Sequence, residues 1–176
     1  MKNLKIYLIT GVCGSGKTSV IKPLNKLLPT GKYDIHDLDE RGVPNNAGRT
    51  WRFNETRYFI DLGNKNLEKG ISTIICGFSR PSEVAELMPG QTNISFILLD
   101  AQPETIRKRI LGRYPTKESE EKFTKQTGET ISEFIDKNCN FLPVLRKECQ
   151  EYKCEIVVTD DKSSEAVAGE VAKVVA

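Results

Sequence analysis

Gly11-Val12-Cys13-Gly14-Ser15-Gly16-Lys17-Thr18 fits the pattern G-x-x-x-x-G-K-[ST]. Each position has a physical task. Glycines let the backbone wrap closely around an anion and aim several N–H groups inward. The helix that opens from such a loop adds positive potential at its N-terminus. Lys17 supplies a point charge for the β and γ phosphates of a nucleoside triphosphate, and Thr18 offers a hydroxyl to Mg²⁺. Gly11, Cys13, Gly14, Ser15, Gly16, Lys17, Thr18 and Ser19 are therefore the candidate ATP-binding residues.

The surroundings suit this loop. Residues 4–10 form a short apolar run of strand length, and 17–28 follow with helical spacing that Pro23 should shorten or kink. The alternation then continues: strand 33–37, polar loop 40–50, helix 51–69 closed by Gly70, strand 71–78, helix 81–87, strand 94–99, helix 102–114. A polar stretch at 115–126 leads to a helix at 128–152 that Pro143 should break or kink, a strand at 154–158 and a last helix at 163–175. Strands alternating with helices predict parallel pairing, and unbroken apolar strands predict a sheet covered on both faces. Ligands of such a sheet sit beyond the carboxyl ends of its strands.

Composition narrows the class further. In 176 residues, 26 Lys and Arg against 24 Asp and Glu leave a net charge of +2, which argues against a protein that coats nucleic acid. No apolar run is long enough to span a membrane, and 4–10 is too short for the core of a secretory leader. Five cysteines without a C-x-x-C pair, and one histidine, suggest free thiols in a cytoplasm rather than a disulfide framework or a zinc site. The guanine-reading N-K-x-D motif is absent, since Asn64-Lys65-Asn66-Leu67 carries leucine in place of the acid.

Three more segments stand out. Leu99-Asp100-Ala101-Gln102-Pro103-Glu104 leads into a helix carrying Arg109 and Arg113 on one face, four residues apart. Cys76-Gly77-Phe78-Ser79-Arg80 follows the third strand, and Asp37-Leu38-Asp39 follows the second. With the phosphate loop, these make the chain resemble the small P-loop kinases, the nucleoside monophosphate kinase and shikimate kinase group. The first looks like that group's strand-D-x-x-x-E helix leading into the lid. The second is similar to the D-G-F-P-R of adenylate kinases, and the third to the D-x-D of shikimate kinases.

The resemblance implies an α/β three-layer P-loop fold: one domain over 1–176, with a roughly five-stranded parallel sheet, helices on both faces, an acceptor region at 40–70 and a short helical lid at 114–127. It implies an ATP-dependent phosphotransferase using Mg²⁺ and acting on a small-molecule acceptor, as a monomer or homodimer. Lys17, Asp39, Arg109 and Arg113 are the candidate catalytic residues, and Arg109 also joins the candidate ATP-binding set. Asp37, Asp39, Arg41, Arg52, Arg57 and Arg80 are the acceptor candidates, with Asp37 also placed to hold Mg²⁺ through water. Four of the chain's nine arginines lie between 41 and 57 with Glu55 as the one acid, which predicts a local anion site. Trp51, the single tryptophan, either stacks on a ring or anchors the core. The segment around Thr159, Asp160 and Asp161 approaches the base by analogy of fold.

Two departures from the family pattern matter. Cys76 stands where the third-strand acid is expected, so Asp37, Asp39 or Asp100 must compensate, unless Asp100 only caps the next helix. The 115–126 segment carries Lys117, Lys122 and Lys125 but no arginine, which suits a shikimate-type or other small-metabolite kinase better. Two rivals remain open. Asp39 and Arg41 loosely resemble the D-x-x-R acceptor segment of polynucleotide 5′-hydroxyl kinases, one residue short. A regulatory nucleotide-binding module without an acceptor is the other.

Overall fold

The computed structural model describes residues 4–44 and 47–176. Asn45 and Asn46 of the expected 40–50 loop lie outside the described residues, as do residues 1–3. The strands are β1 (Ile6–Thr10), β2 (Tyr33–Asp37), β3 (Ser72–Cys76), β4 (Ile94–Asp100) and β5 (Glu155–Val158). The helices are α1 (Ile21–Leu27), α2 (Arg49–Glu68), α3 (Pro81–Leu87), α4 (Pro103–Arg113), α5 (Lys117–Thr127), α6 (Ile131–Glu151) and α7 (Ser164–Val175). All five strands run parallel in the order β2-β3-β1-β4-β5.

Side-chain alternation along the strands splits the core between two faces. Tyr7 and Ile9 of β1 join Ile74, Ile97 and Leu99 on the face covered by α1 and α7, where Leu24, Val167 and Val171 pack. Ile6 and Leu8 point to the other face. There they meet Phe59 and Ile60 of α2, while Leu98 packs with Ile106, Ile110, Ile135 and Leu145 of α4 and α6. Strands buried on both sides explain the unbroken apolar runs of the sequence. The expected three-layer α/β fold is the one observed.

Two local expectations change. A 3₁₀ turn (Thr18–Val20) separates the phosphate loop from α1, so Pro23 falls in the first turn of α1. Its missing N–H there is one that would lack an intrahelical partner anyway. Pro143 does not end α6, which runs unbroken from Ile131 to Glu151. Proline deletes one backbone bond, and the buried stripe of Ile135, Leu142, Leu145 and Cys149 holds the helix on both sides of it. The polar 115–126 segment is helical, as expected for 114–127. It folds as α5, with Thr116 and Ser119 forming a capping box and Gly128 closing it at φ 78°.

β1 lies between β3 and β4, where the connections leave in opposite directions along the sheet. The crevice at this switch point is the standard ligand position of an open parallel sheet. The phosphate loop fills it.

Candidate active site

The loop after β1 turns on glycines. Gly14 and Gly16 adopt φ 85° and 101°, values that side-chain-bearing residues avoid. A Cβ on Gly16 would meet nothing within 4 Å, so this position opens onto empty space. Around it, Ser15 N–H donates to Val12 O at 3.2 Å and Lys17 Nζ to Val12 O at 2.9 Å. Asn138 Oδ1 of α6 accepts the Cys13 N–H at 2.9 Å, tying the loop to that helix.

Two features of the loop call for an anion. Ser15 Oγ is buried with no hydrogen-bond partner. Lys17 forms no ion pair among the described residues, and burial pulls its pKa down to about 8, with the Arg113 charge adding to that. A polyphosphate beside Lys17 reverses both penalties. The loop thus fits a nucleotide's phosphates.

The loop separates two cavities. The first, about 470 Å³, is lined by Lys17, Thr18 and Gly16 of the loop, by Asp37, Leu38 and Asp39 after β2, and by Trp51 and Arg52 at the start of α2. Phe78 after β3, Arg113 at the end of α4, and Phe134, Lys137, Asn138 and Phe141 of α6 complete it. The second, about 460 Å³, is lined by Ser15, Ser19, Arg109, Thr159 and Lys162. Gly14, Gly16 and Arg113 border both.

Asp37 and Asp39 enter the first cavity through a tight turn in which Asp39 N–H donates to Asp37 Oδ1 at 3.0 Å. Burial and the Asp37 charge push the Asp39 carboxyl above the usual range, partly offset by Lys17. Leu38 between them is held by its N–H to Cys76 O at 2.9 Å, and it packs directly on Gly77. Cys76 itself is fully buried, and desolvation raises its thiol well above the ordinary range. It stays neutral and takes no place beside a metal. Thr18 and Asp37 line the same cavity. One hydroxyl and one or two carboxylates suit Mg²⁺, which keeps most of its waters and takes the rest of its ligands from phosphates.

Asp100 neither caps α4 nor reaches this site. It ends β4, and its carboxylate takes Arg146 Nε at 2.9 and 3.0 Å. The first turn of α4 is capped from far away, by Asp160 Oδ1 accepting the Gln102 N–H at 3.0 Å.

The two lid arginines separate. Arg113 stays between the cavities, with Nη1 3.1 Å from Cys13 Sγ. Arg109 lines only the second cavity. Its guanidinium is already committed to Gly14 O at 3.2 Å, Thr159 Oγ1 at 2.9 Å and Thr159 O. It clamps the phosphate loop to the segment after β5.

The expected arginine-rich anion site is largely neutralised. Arg41 lies over the Tyr58 ring at 3.7 Å and pairs with Glu55, outside the cavity. Arg57 is exposed on α2 and lines neither cavity. Arg52 lines the cavity, but its Nη2 is bonded to both oxygens of Glu83 at 2.8 and 2.9 Å. Arg80 is bonded through Nε and Nη2 to Glu148 Oε2 and also lies outside that lining. The local count of charges missed these acids because Glu83 and Glu148, with Glu86 that pairs with Arg49 at 2.8 Å, come from α3 and α6, remote in sequence.

Sequence reasoning also missed the α6 wall. Phe134, Lys137, Asn138 and Phe141 recur at helical spacing beside the buried stripe of α6. The adjacent polar pair at 137 and 138 was the available signal that this flank faces something other than core.

No protein-family model matches the chain, and no curated protein sequence does either. Solved structures do match. A gluconokinase from Sinorhizobium meliloti is 17% identical with a TM-score of 0.57, over 98% of this chain and 96% of that one. A shikimate kinase from Acinetobacter baumannii, in complex with shikimate, is 14% identical with a TM-score of 0.57, over 99% and 94%. An unliganded sugar kinase from Janibacter is 20% identical with a TM-score of 0.56, over 97% and 93%. The chain has the fold of the small P-loop kinases, the group its sequence resembles.

Proposed function

We propose that this protein transfers the γ-phosphoryl group of ATP to the hydroxyl of a small molecule. The observation that carries this reading is the phosphate loop set between two cavities, with Gly14, Gly16 and Arg113 common to both. The nucleoside occupies the cavity of Arg109, Thr159 and Lys162. The triphosphate runs across Gly16 toward Lys17, and the acceptor enters the cavity of Asp37 and Asp39. A regulatory module that only senses nucleotide has no use for a second cavity of this size bearing two carboxylates.

In the reaction, the acceptor oxygen attacks the γ-phosphorus, and the bond from that phosphorus to the β–γ bridging oxygen breaks with its electron pair leaving on ADP. The hydroxyl proton passes to Asp39, whose raised pKa suits a proton acceptor better than an ordinary carboxylate. Thr18 and, through water, Asp37 would hold Mg²⁺, which would supply charge neutralisation to the polyphosphate when bound. Lys17 and Arg113 meet the charge that spreads over the transferring group. We place the lid in α5, which has only Phe123 buried among its residues and so has little to hold it in one position. Five free thiols fit work in a reducing cytoplasm.

The test is ADP release from Mg-ATP across pooled acceptors: nucleosides, nucleoside monophosphates, sugar acids, shikimate and 5′-hydroxyl oligonucleotides. An acceptor-dependent rise that is absent in Lys17→Ala supports the reading. ADP release that ignores every acceptor and persists in Lys17→Ala overturns it.

A further inference from the structure

The first cavity is built unevenly. Apart from Lys137, the Trp51 indole N–H and the Arg52 Nε, the hydrogen-bonding side chains free to meet a ligand belong to the reaction end: Lys17, Thr18, Asp37, Asp39 and Arg113. Elsewhere the polar groups are few and mostly engaged. Arg52 gives Nη2 to both oxygens of Glu83, though its Nε has no partner, and Asn138 accepts from Cys13 N–H while its amide donates to Phe134 O at 2.8 Å. Lys137 is exposed and leans 3.5 Å toward Glu129. What remains is Trp51, Phe78, Phe134 and Phe141, with Val12 and Leu38 beside them. Phe78 and Phe141 meet edge to face, with centroids 5.9 Å apart.

A polyol or sugar acid entering this cavity would bring five or so hydroxyls against four aromatic side chains whose only donor is the Trp51 indole N–H, with the Arg52 Nε beside them, and each desolvated hydroxyl left without a partner is strongly penalised. A planar ring loses nothing there, and it gains stacked or edge contacts with up to four aromatic side chains. Resting on the kinase reading above, we infer that the acceptor is an alcohol carried on a planar, π-rich ring. Its hydroxyl meets Asp39, and its ring lies among Trp51, Phe78, Phe134 and Phe141. Nucleosides and aryl alcohols share this chemistry. Open-chain sugar acids and cyclohexene triols do not, despite the likeness of fold to kinases named for such compounds.

Equilibrium dialysis of the full chain, saturated with Mg-ADP to fill the nucleotide site, tests this directly. The probes are thymidine, thymidine monophosphate, 2-phenylethanol, gluconate and shikimate. The expected result is saturable binding of at least one ring-bearing probe, about tenfold or more tighter than gluconate and shikimate. The nucleoside, nucleotide and aryl arms then separate the sources. Ring binding should also change the emission of Trp51, the chain's only tryptophan. Phe141→Leu keeps an apolar side chain but removes a ring, so it should weaken the ring-bearing probe about tenfold and leave Mg-ADP affinity unchanged. Gluconate or shikimate binding as tightly as every ring probe overturns the inference, and so does ring binding indifferent to Phe141→Leu or no binding by any probe. Mg-ADP that binds Lys17→Ala as well as the unaltered chain is a different failure, that of the phosphate-loop reading itself.

Discussion

Gly77→Ala adds one methyl group where the fold leaves no room. A Cβ on Gly77 falls inside contact distance of Leu38 Cβ and within 2.9 Å of Leu38 Cδ2, where carbon atoms normally stand about 3.5–4.0 Å apart. The Leu38 Cδ2 can rotate away, but its Cβ is fixed to the backbone. That backbone is fastened by the 2.9 Å bond from Leu38 N–H to Cys76 O. The methyl therefore displaces the chain between Asp37 and Asp39 by roughly an ångström. Overpacking of this kind costs about 1–3 kcal/mol, and weakening the Leu38–Cys76 bond adds about 1 kcal/mol. For a chain of this size the sum lowers Tm by roughly 5–15 °C. Because Asp37 and Asp39 shift with Leu38, transfer falls about 10²-fold even in molecules that remain folded. The assay is urea unfolding paired with phosphoryl transfer at a temperature where both forms are folded. Gly169→Ala is the internal control. It makes the same chemical change inside α7, with nothing within 4 Å of the new methyl, and should raise stability by up to about 1 kcal/mol. A Gly77→Ala protein with an unchanged urea midpoint and full transfer activity would refute the packing argument.

Lys17→Ala should weaken Mg-ADP binding about 100-fold by calorimetry, yet leave Tm equal or higher, because it removes a desolvated cation that the nearby Asp39 charge offsets only in part. Glu148→Gln should destabilise the fold by about 2–4 kcal/mol in urea, since Glu148 joins α6 to α3 by accepting from Ser82 N–H, Ser82 Oγ, and Arg80 Nε and Nη2. Burial pushes the Glu148 carboxyl up, but the bonds from Ser82 and Arg80 outweigh it and hold the pKa low. Its contribution is thus present above about pH 4.5 and lost as pH falls through the folded value, so the variant's stability should decline less steeply on the acid side. His36 behaves with the opposite sign. Burial lowers its pKa, but bonds to Asp34 and Glu40 win and raise it, so its contribution is full below about pH 6.5 and fades as pH rises through the folded value. His36→Gln should flatten the loss of Tm between about pH 6 and 8, and an identical slope in the variant would contradict the assignment.

Local physics made much of this protein legible before any coordinates. A glycine-rich octapeptide between a strand and a helix specifies its own conformation, because few other backbones satisfy those residues. Unbroken apolar strands separated by helices specify a parallel, doubly covered sheet, and β2 and α3 run over the residues their patterns predicted. Turn and cap chemistry is equally local, as Gly70 after α2 and the two capping boxes illustrate. What the chain could not display along its length was which charges meet. Asp100 faces Arg146, Arg80 faces Glu148 and Arg52 faces Glu83, each from elements 31 to 68 residues apart. Those pairings decide which arginines remain available to a ligand, and they arise only when the helices dock on the sheet. The same docking turns one flank of α6 toward the phosphate loop, making four of its residues part of a cavity wall. Hydrophobic periodicity reports which face of a helix is buried, but not what its polar flank will meet, because that depends on how the helix is rotated and placed by everything packed beneath it.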